Sequence, residues 1–184
     1  MLKKLLLILF FITCIPLVRA EEEINQNTQT NNSNITSELN LTTNAKSAIL
    51  IEASTGKIIY QKNQDEELPM ASMTKMMTLL LIMDKIQKGN LKLDEMVTTS
   101  NHAASMGGSQ IFLSVGEQMS VEDLVKGICI ASGNDAAVAM AERIGGTEEN
   151  FVKMMNERAR ELKLQHTNFV NACGLDADNH YSSA

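Results

Sequence analysis

The chain has 184 residues, a formal net charge of −6, 44% apolar and 4% aromatic residues, and no tryptophan. That length accommodates one domain with extensions, and the apolar share is ordinary for a globular fold. An acidic balance gives no basic footprint for DNA, and so few aromatics leave no stacking platform for single strands, so no nucleic-acid partner is expected.

The N-terminus carries a targeting pattern. Lys3-Lys4 is a basic start, Leu5 to Ile15 is a nearly continuous apolar run, and Val18-Arg19-Ala20 is a small-residue cleavage site. The run is short for a membrane span. Residues 1–20 are therefore expected to be a signal peptide and the rest exported, with an uncleaved anchor as the alternative. Residues 21–44 are rich in Asn, Thr, Glu and Ser, which reads as a disordered polar linker. The folded domain is expected over residues 45–184.

Ser47 to Glu52 reads as a buried strand, Ala53 to Lys57 as a turn, and Ile58 to Lys62 as a second strand, together a β-hairpin. Leu68 precedes Pro69 and is biased away from helix. From Ser72 an apolar helix is expected to about Lys88, stopped by Gly89-Asn90. Leu91 to Ser100 reads as a loop with a short strand, and residues 101–119 as loops with short extended pieces. Ser120, with Asp123 three residues on, is a variant capping box opening a helix from Val121 to Ile130. A further helix is expected from Asp135 to Ile144. Thr147 then caps a fourth, Glu148 to about Leu162, with Phe151, Met154, Met155 and Ala159 inward. Leu164 to Val170 reads as extended and Asn171 to Ala184 as loop.

Two places carry chemistry. Lys75 follows Ser72 by three residues, which on a helix puts both on one face. A serine hydroxyl needs an adjacent base to act as nucleophile. A lysine amine is that base when burial keeps it neutral, and N–H groups at a helix start can stabilise an oxyanion. Ser-x-x-Lys is a weak pattern alone: Ser54-Thr55-Gly56-Lys57 also matches, in a turn. Ser72 could equally be an N-cap and Lys75 a solvated charge. Ser132-Gly133-Asn134 joins two apolar helices, where a hydroxyl and an amide could enter one cleft or simply form a corner with Asn134 as a cap.

The remaining candidates are weaker. Cys129, in a stretch read as buried helix, and Cys173 are expected as two free thiols. His102, His166 and His180 are scattered, and no metal-ligand spacing occurs, so no metal site is expected. Met70, Met73, Met76 and Met77 read as core filling.

Taken together and in order, Met70-Ala71-Ser72-Met73-Thr74-Lys75, Gly107-Gly108-Ser109, Ile130 to Ala136, and Gly174-Leu175-Asp176 with His180-Tyr181-Ser182 resemble the serine-type D-Ala-D-Ala carboxypeptidases, the low-molecular-mass penicillin-binding proteins. The resemblance covers about residues 45–184. It implies an α/β (α+β) fold of the penicillin-binding-protein and β-lactamase type, here an N-terminal β-hairpin plus a helical cluster without the later sheet strands. Class A β-lactamases share Ser-x-x-Lys but typically have Asp where this chain has Gly133, which favours the carboxypeptidase.

The resemblance also implies roles. Ser72 would attack the carbonyl between two terminal D-alanines of a peptidoglycan stem peptide, with neutral Lys75 taking its proton. Ser132 would relay a proton to the leaving D-alanine, and Asn134 would bind substrate and orient Lys75. β-Lactams would acylate Ser72, with no cofactor required. The family's third motif, Lys-Thr-Gly or Lys-Ser-Gly, does not occur in the 184 residues. Nor do its later strands, C-terminal β-domain and amphipathic membrane anchor, and Asn171-Ala172-Cys173-Gly174 departs from the commoner Asn-Pro-Thr-Gly. These residues alone are therefore expected to fold poorly and to be weakly active or inactive.

Overall fold

A computed structural model describes residue 41 and residues 44–184. The expected signal peptide, and most of the expected linker, lie outside the described residues. The described residues divide into two compact units, with the boundary between Gln64 and Asp65.

The first unit contains the hairpin. Strand β1 (Ala48–Ile51) pairs antiparallel with β2 (Ile58–Lys62), with an irregular register between Leu50 and Ile51. Glu52 builds the connection: its carboxylate accepts from the backbone and hydroxyl groups of both Ser54 and Thr55. Those bonds hold its pKa down at about 2. The hairpin was expected, but Ser47 to Glu52 was expected as a buried strand, and it is not one. Leu50, Ile51, Ile58 and Ile59 are exposed, because the sheet has only two strands and leaves these side chains uncovered.

The second unit is a helical cluster. A short 3-10 turn (Ala71–Thr74) leads directly into helix α1 (Lys75–Gln87). Strand β3 (Met96–Thr98) is followed by a one-turn helix α2 (Asn101–Ala104), capped by the Ser100 hydroxyl. Strand β4 (Gln118–Ser120) returns to pair with β3. Helices α3 (Val121–Ala131), α4 (Asn134–Gly145) and α5 (Glu148–Glu161) follow. A last small ribbon pairs β5 (Thr167–Asn168) with β6 (Tyr181–Ser182).

Helix α4 is the centre. Residues Asn134 to Ala141 are all buried, and α4 packs against α1, α2, α3, α5 and β3. Its run of Ala136, Ala137, Ala139 and Ala141 explains this. Small side chains on every face let neighbours approach from all sides, which suits the first two turns of a helix buried all round. Phe151, Met155 and Ala159 bury one face of α5 as expected, and Ser120 and Thr147 cap their helices through Asp123 N–H and Asn150 N–H.

Several expectations are corrected. Ser72 does not open the α-helix. It lies in the preceding 3-10 turn, after Ala71 takes a left-handed φ of 47°. Short α2 falls where loops with short extended pieces were expected, and β6 where a loop was expected. These elements span only two to four residues, too short for a periodic signal. Ile130 is 84% exposed, and Cys129 is also exposed, because the last turn of α3 runs out of the core. Both thiols are free, as expected.

Candidate active site

The site forms where the start of α1, the start of α4 and the 171–174 loop converge on one amine. Lys75 is 4% exposed. Its Nζ donates to Ser72 Oγ at 3.1 Å, to Asn134 Oδ1 at 2.7 Å and to the Cys173 carbonyl at 2.7 Å. An ammonium has three protons to donate and no lone pair to accept with, so these partners saturate it. Burial nevertheless pushes the Lys75 pKa down from 10.5, against an opposing pull from Cys173. The group is a hydrogen-bonded amine whose charged form is disfavoured by its surroundings, adjacent to an exposed hydroxyl. That is the arrangement a lysine general base requires.

Each partner is itself fixed. The Asn134 Nδ2 donates to the Gly107 carbonyl at 2.6 Å and its N–H to the Ser109 carbonyl at 2.7 Å. Its amide oxygen is therefore the atom turned towards Lys75. Gly108 has a φ of 77°, and a Cβ there would lie 2.9 Å from Asn134 Nδ2. The Gly-Gly pair thus lets the backbone close over the amide. Asp135, the next residue, is buried and accepts from the N–H groups of Ile111 and Leu113, tying that loop to α4.

The 171–174 loop is held group by group. Ala172 N–H donates to Glu148 Oε1 at 2.9 Å, and the Ala172 carbonyl accepts from Thr78 Oγ1 at 2.6 Å. Asn171 Oδ1 accepts from both Cys173 N–H and Gly174 N–H. Gly174, at φ 91°, passes so close to the turn that carries Ser72 that a Cβ would sit 2.0 Å from the Ala71 carbonyl oxygen. Burial raises the Cys173 thiol pKa, so this sulfur is a protonated, packed group.

His180 braces the same region. Its Nδ1 accepts from Val170 N–H at 3.0 Å, and Nε2 lies 2.7 Å from Thr74 Oγ1. An accepting Nδ1 leaves Nε2 as the protonated nitrogen of a neutral ring. Burial lowers the His180 pKa, which agrees, although Asp176 pulls the other way.

Ser72, Lys75 and Asn134 are thus brought together. Ser132 is placed differently. It is the C-cap of α3 in a left-handed conformation, φ 56°, and no hydrogen bond joins its hydroxyl to any described residue. Asn134 is not a cap: Gly133 holds that position, and Asn134 opens α4 with its side chain turned to the lysine. The decoy Ser54 and Lys57 sit in the hairpin turn, where Ser54 bonds to Glu52. Missed in the sequence were Thr78, Glu148 and the Gly107 and Cys173 carbonyls. Backbone acceptors leave no side-chain signature, and Glu148 reads as an ordinary helix-start acid. Among the described residues no cluster of His, Cys, Asp or Glu could hold a metal.

A hydroxyl held against a buried lysine amine just ahead of an α-helix has the geometry that serine acyl transfer needs. The chain matches the Peptidase S11 family, D-alanyl-D-alanine carboxypeptidase, over residues 30–184, and belongs to it. It is 61% identical over 140 residues to D-alanyl-D-alanine carboxypeptidase DacF of Bacillus subtilis (strain 168), covering 76% of this chain and 36% of that protein. Its fold is similar to the D-alanyl-D-alanine carboxypeptidase DacD from Francisella tularensis, with a TM-score of 0.76 and 38% identity over 79% of this chain and 35% of that one. It is also similar to the ampicillin-bound penicillin-binding protein D2 from Listeria monocytogenes, with a TM-score of 0.69 and 30% identity over 79% of this chain and 59% of that one. The chain therefore spans about a third of the length of the curated relatives it matches.

Proposed function

We propose that these residues form the nucleophile half of a serine-type D-Ala-D-Ala carboxypeptidase that trims the terminal D-alanine from peptidoglycan stem peptides. The observation that carries this reading is the three-way hold on Lys75 Nζ beside Ser72 Oγ. Lys75, as the free amine, takes the proton as Ser72 Oγ attacks the peptide carbonyl. The resulting oxyanion is met by the Ser72 N–H, one of the first donors of a turn, which have no partner within it. The amide C–N bond breaks, and the Ser132 hydroxyl gives its proton to the departing D-alanine nitrogen while taking one from the Lys75 ammonium, which returns Lys75 to the free amine. Asn134 keeps Lys75 in place and offers a polar contact to the peptide. Water then attacks the Ser72 ester and regenerates the hydroxyl.

β-Lactams enter the same sequence, with the strained ring amide in place of the peptide bond. Residues 1–20 are proposed to export the chain, placing the reaction at the outer face of the bacterial cytoplasmic membrane or in the periplasm. Among the described residues no helix is long and apolar enough to cross a membrane. The third motif expected of the family is not among the 184 residues. These 184 residues by themselves therefore offer one oxyanion donor, the Ser72 N–H, and the absence of a second such donor lowers kcat by about 10²–10³. A second reading follows from that observation: a chain with an intact but idle Ser72–Lys75 pair.

Release of D-alanine from a peptide ending in D-Ala-D-Ala separates these readings. The carboxypeptidase reading expects slow release that disappears in Ser72→Ala. No release together with no acylation by penicillin supports the idle pair. Rapid turnover of benzylpenicillin, rather than a persistent adduct, marks a β-lactamase.

A further inference from the structure

The first turn of α5 carries two adjacent acids with different surroundings. Glu149 is exposed and takes the usual place of a helix-start carboxylate, its pKa lowered by its own backbone N–H and then by the Thr147 hydroxyl. Glu148 turns inward, with its side chain 12% exposed. Its Oε1 accepts from Ala172 N–H at 2.9 Å, and its Oε2 lies 2.6 Å from His102 Nε2 on α2. Ala172 itself is fully buried, and the next carbonyl along the chain, Cys173, receives the Lys75 amine. One carboxylate thus joins α2, α5 and the loop that holds the base.

We propose that Glu148 is a positioning residue for Lys75: by gripping the Ala172 N–H it fixes the Cys173 carbonyl, and that carbonyl fixes the amine against Ser72. The helix start has no need of it, since Glu149 already serves there. His102 orients the second carboxylate oxygen, so the first stays on the loop. The pair is asymmetric in exposure, with His102 at 49% and Glu148 at 12%. The histidine therefore meets solvent while the carboxylate faces the loop. From the other side Thr78 Oγ1 holds the Ala172 carbonyl, so the Ala172–Cys173 link is pinned at both of its polar neighbours. A misplacement of a catalytic group by about 1 Å costs on the order of 10²-fold in rate, which is why two side chains spent on one loop residue matter.

This inference rests on the reading of Lys75 as the base, and the test keeps the two apart. The full chain is labelled with ¹⁵N-lysine, and the Lys75 amine is titrated by NMR. Acylation by benzylpenicillin is followed in parallel by intact mass. Two variants divide reach from charge. Glu148→Asp keeps the charge but falls one methylene short of Ala172. Glu148→Gln keeps the acceptor but loses the charge. The proposal expects Glu148→Asp to lower the Lys75 midpoint, because the ammonium loses its carbonyl, and to slow plateau acylation by about tenfold or more. Glu148→Gln should give clearly smaller shifts in both.

An aspartate variant indistinguishable from the parent overturns the proposal. So does a glutamine variant as damaged as the aspartate one, since reach to Ala172 would then not account for the loss. Where Glu148→Asp does not fold, Thr78→Val releases the same residue from its other side and is expected to lower the midpoint likewise. An unmoved midpoint there is equally contrary. If the parent chain does not acylate at all, the proposed activity fails, while the NMR midpoints still decide whether Glu148 positions Lys75.

Discussion

Lys75 and Ser132 are held in opposite ways. The lysine is buried with three partners, one from each of three segments. The serine lies at a helix corner in a left-handed backbone, with a hydroxyl that has no partner among the described residues. The first is positioned by packing, and its geometry should survive only as long as the core does. The second is positioned by the backbone alone, at a cost in conformational strain of about 1–2 kcal/mol for a residue with a Cβ. Function and stability should therefore respond together at Lys75 and in opposite directions at Ser132.

The sharpest break is Lys75→Ala. It removes the proposed base and leaves Asn134 Oδ1 and the Cys173 carbonyl without their donor. Acylation by penicillin should fall by about 10²–10⁴-fold, with a stability loss of about 1–3 kcal/mol; intact mass and urea unfolding measure the two. Gly174→Ala attacks the same side without touching a side chain. Its new methyl would meet the Ala71 carbonyl in a left-handed conformation, so about 2 kcal/mol or more of stability should be lost. The acylation rate should fall with it, because the clash reaches the turn that carries Ser72.

Ser132→Gly tests the other half of the comparison. It relieves the positive φ and deletes the hydroxyl. Unfolding free energy should hold or rise by about 0.5 kcal/mol, while D-alanine release drops by about tenfold or more. Equal losses of stability and activity would mean that Ser132 is structural.

Two pH dependences give smaller effects. Lys75 binds its proton less readily folded than unfolded, because burial lowers its pKa from 10.5. Stability should therefore rise with pH between the folded midpoint and 10.5, and the acylation rate should rise through the same folded midpoint. His180 is lowered from 6.5 by burial. The unfolded chain takes up its proton first as pH falls below 6.5, so stability should decline from there towards the folded midpoint. Protonation also forbids the bond from Val170 N–H to Nδ1. His180→Gln should flatten that limb of a pH-dependent thermal melt.

Much of the site was readable because its side chains fall in short motifs. Ser72, Lys75 and Asn134 stand at helix starts, where a run of apolar residues gives the boundary. The structure shifts that boundary by a few residues and puts Ser72 in a 3-10 turn, which no periodicity distinguishes from the first turn of a helix. The caps at Ser120 and Thr147 were legible for the same local reason. What was not legible is non-local. The Cys173 and Gly107 carbonyls act through the backbone. Glu148 meets Ala172 across 24 positions of sequence. The exposure of Ile130 and of the hairpin's Ile and Leu residues depends on which neighbours cover them, and an apolar pattern carries no information about that.

The most direct test of the account is the intact mass of the purified chain after exposure to benzylpenicillin, beside Ser72→Ala and Lys75→Ala. The account predicts a persistent increase of one drug mass on the parent, mapped to the peptide containing Ser72, and none on either variant. An adduct that survives in Lys75→Ala at the parent rate would show that the buried amine is not the base. A folded parent that takes up no drug would leave the three-way hold on Lys75 without a catalytic purpose in these residues.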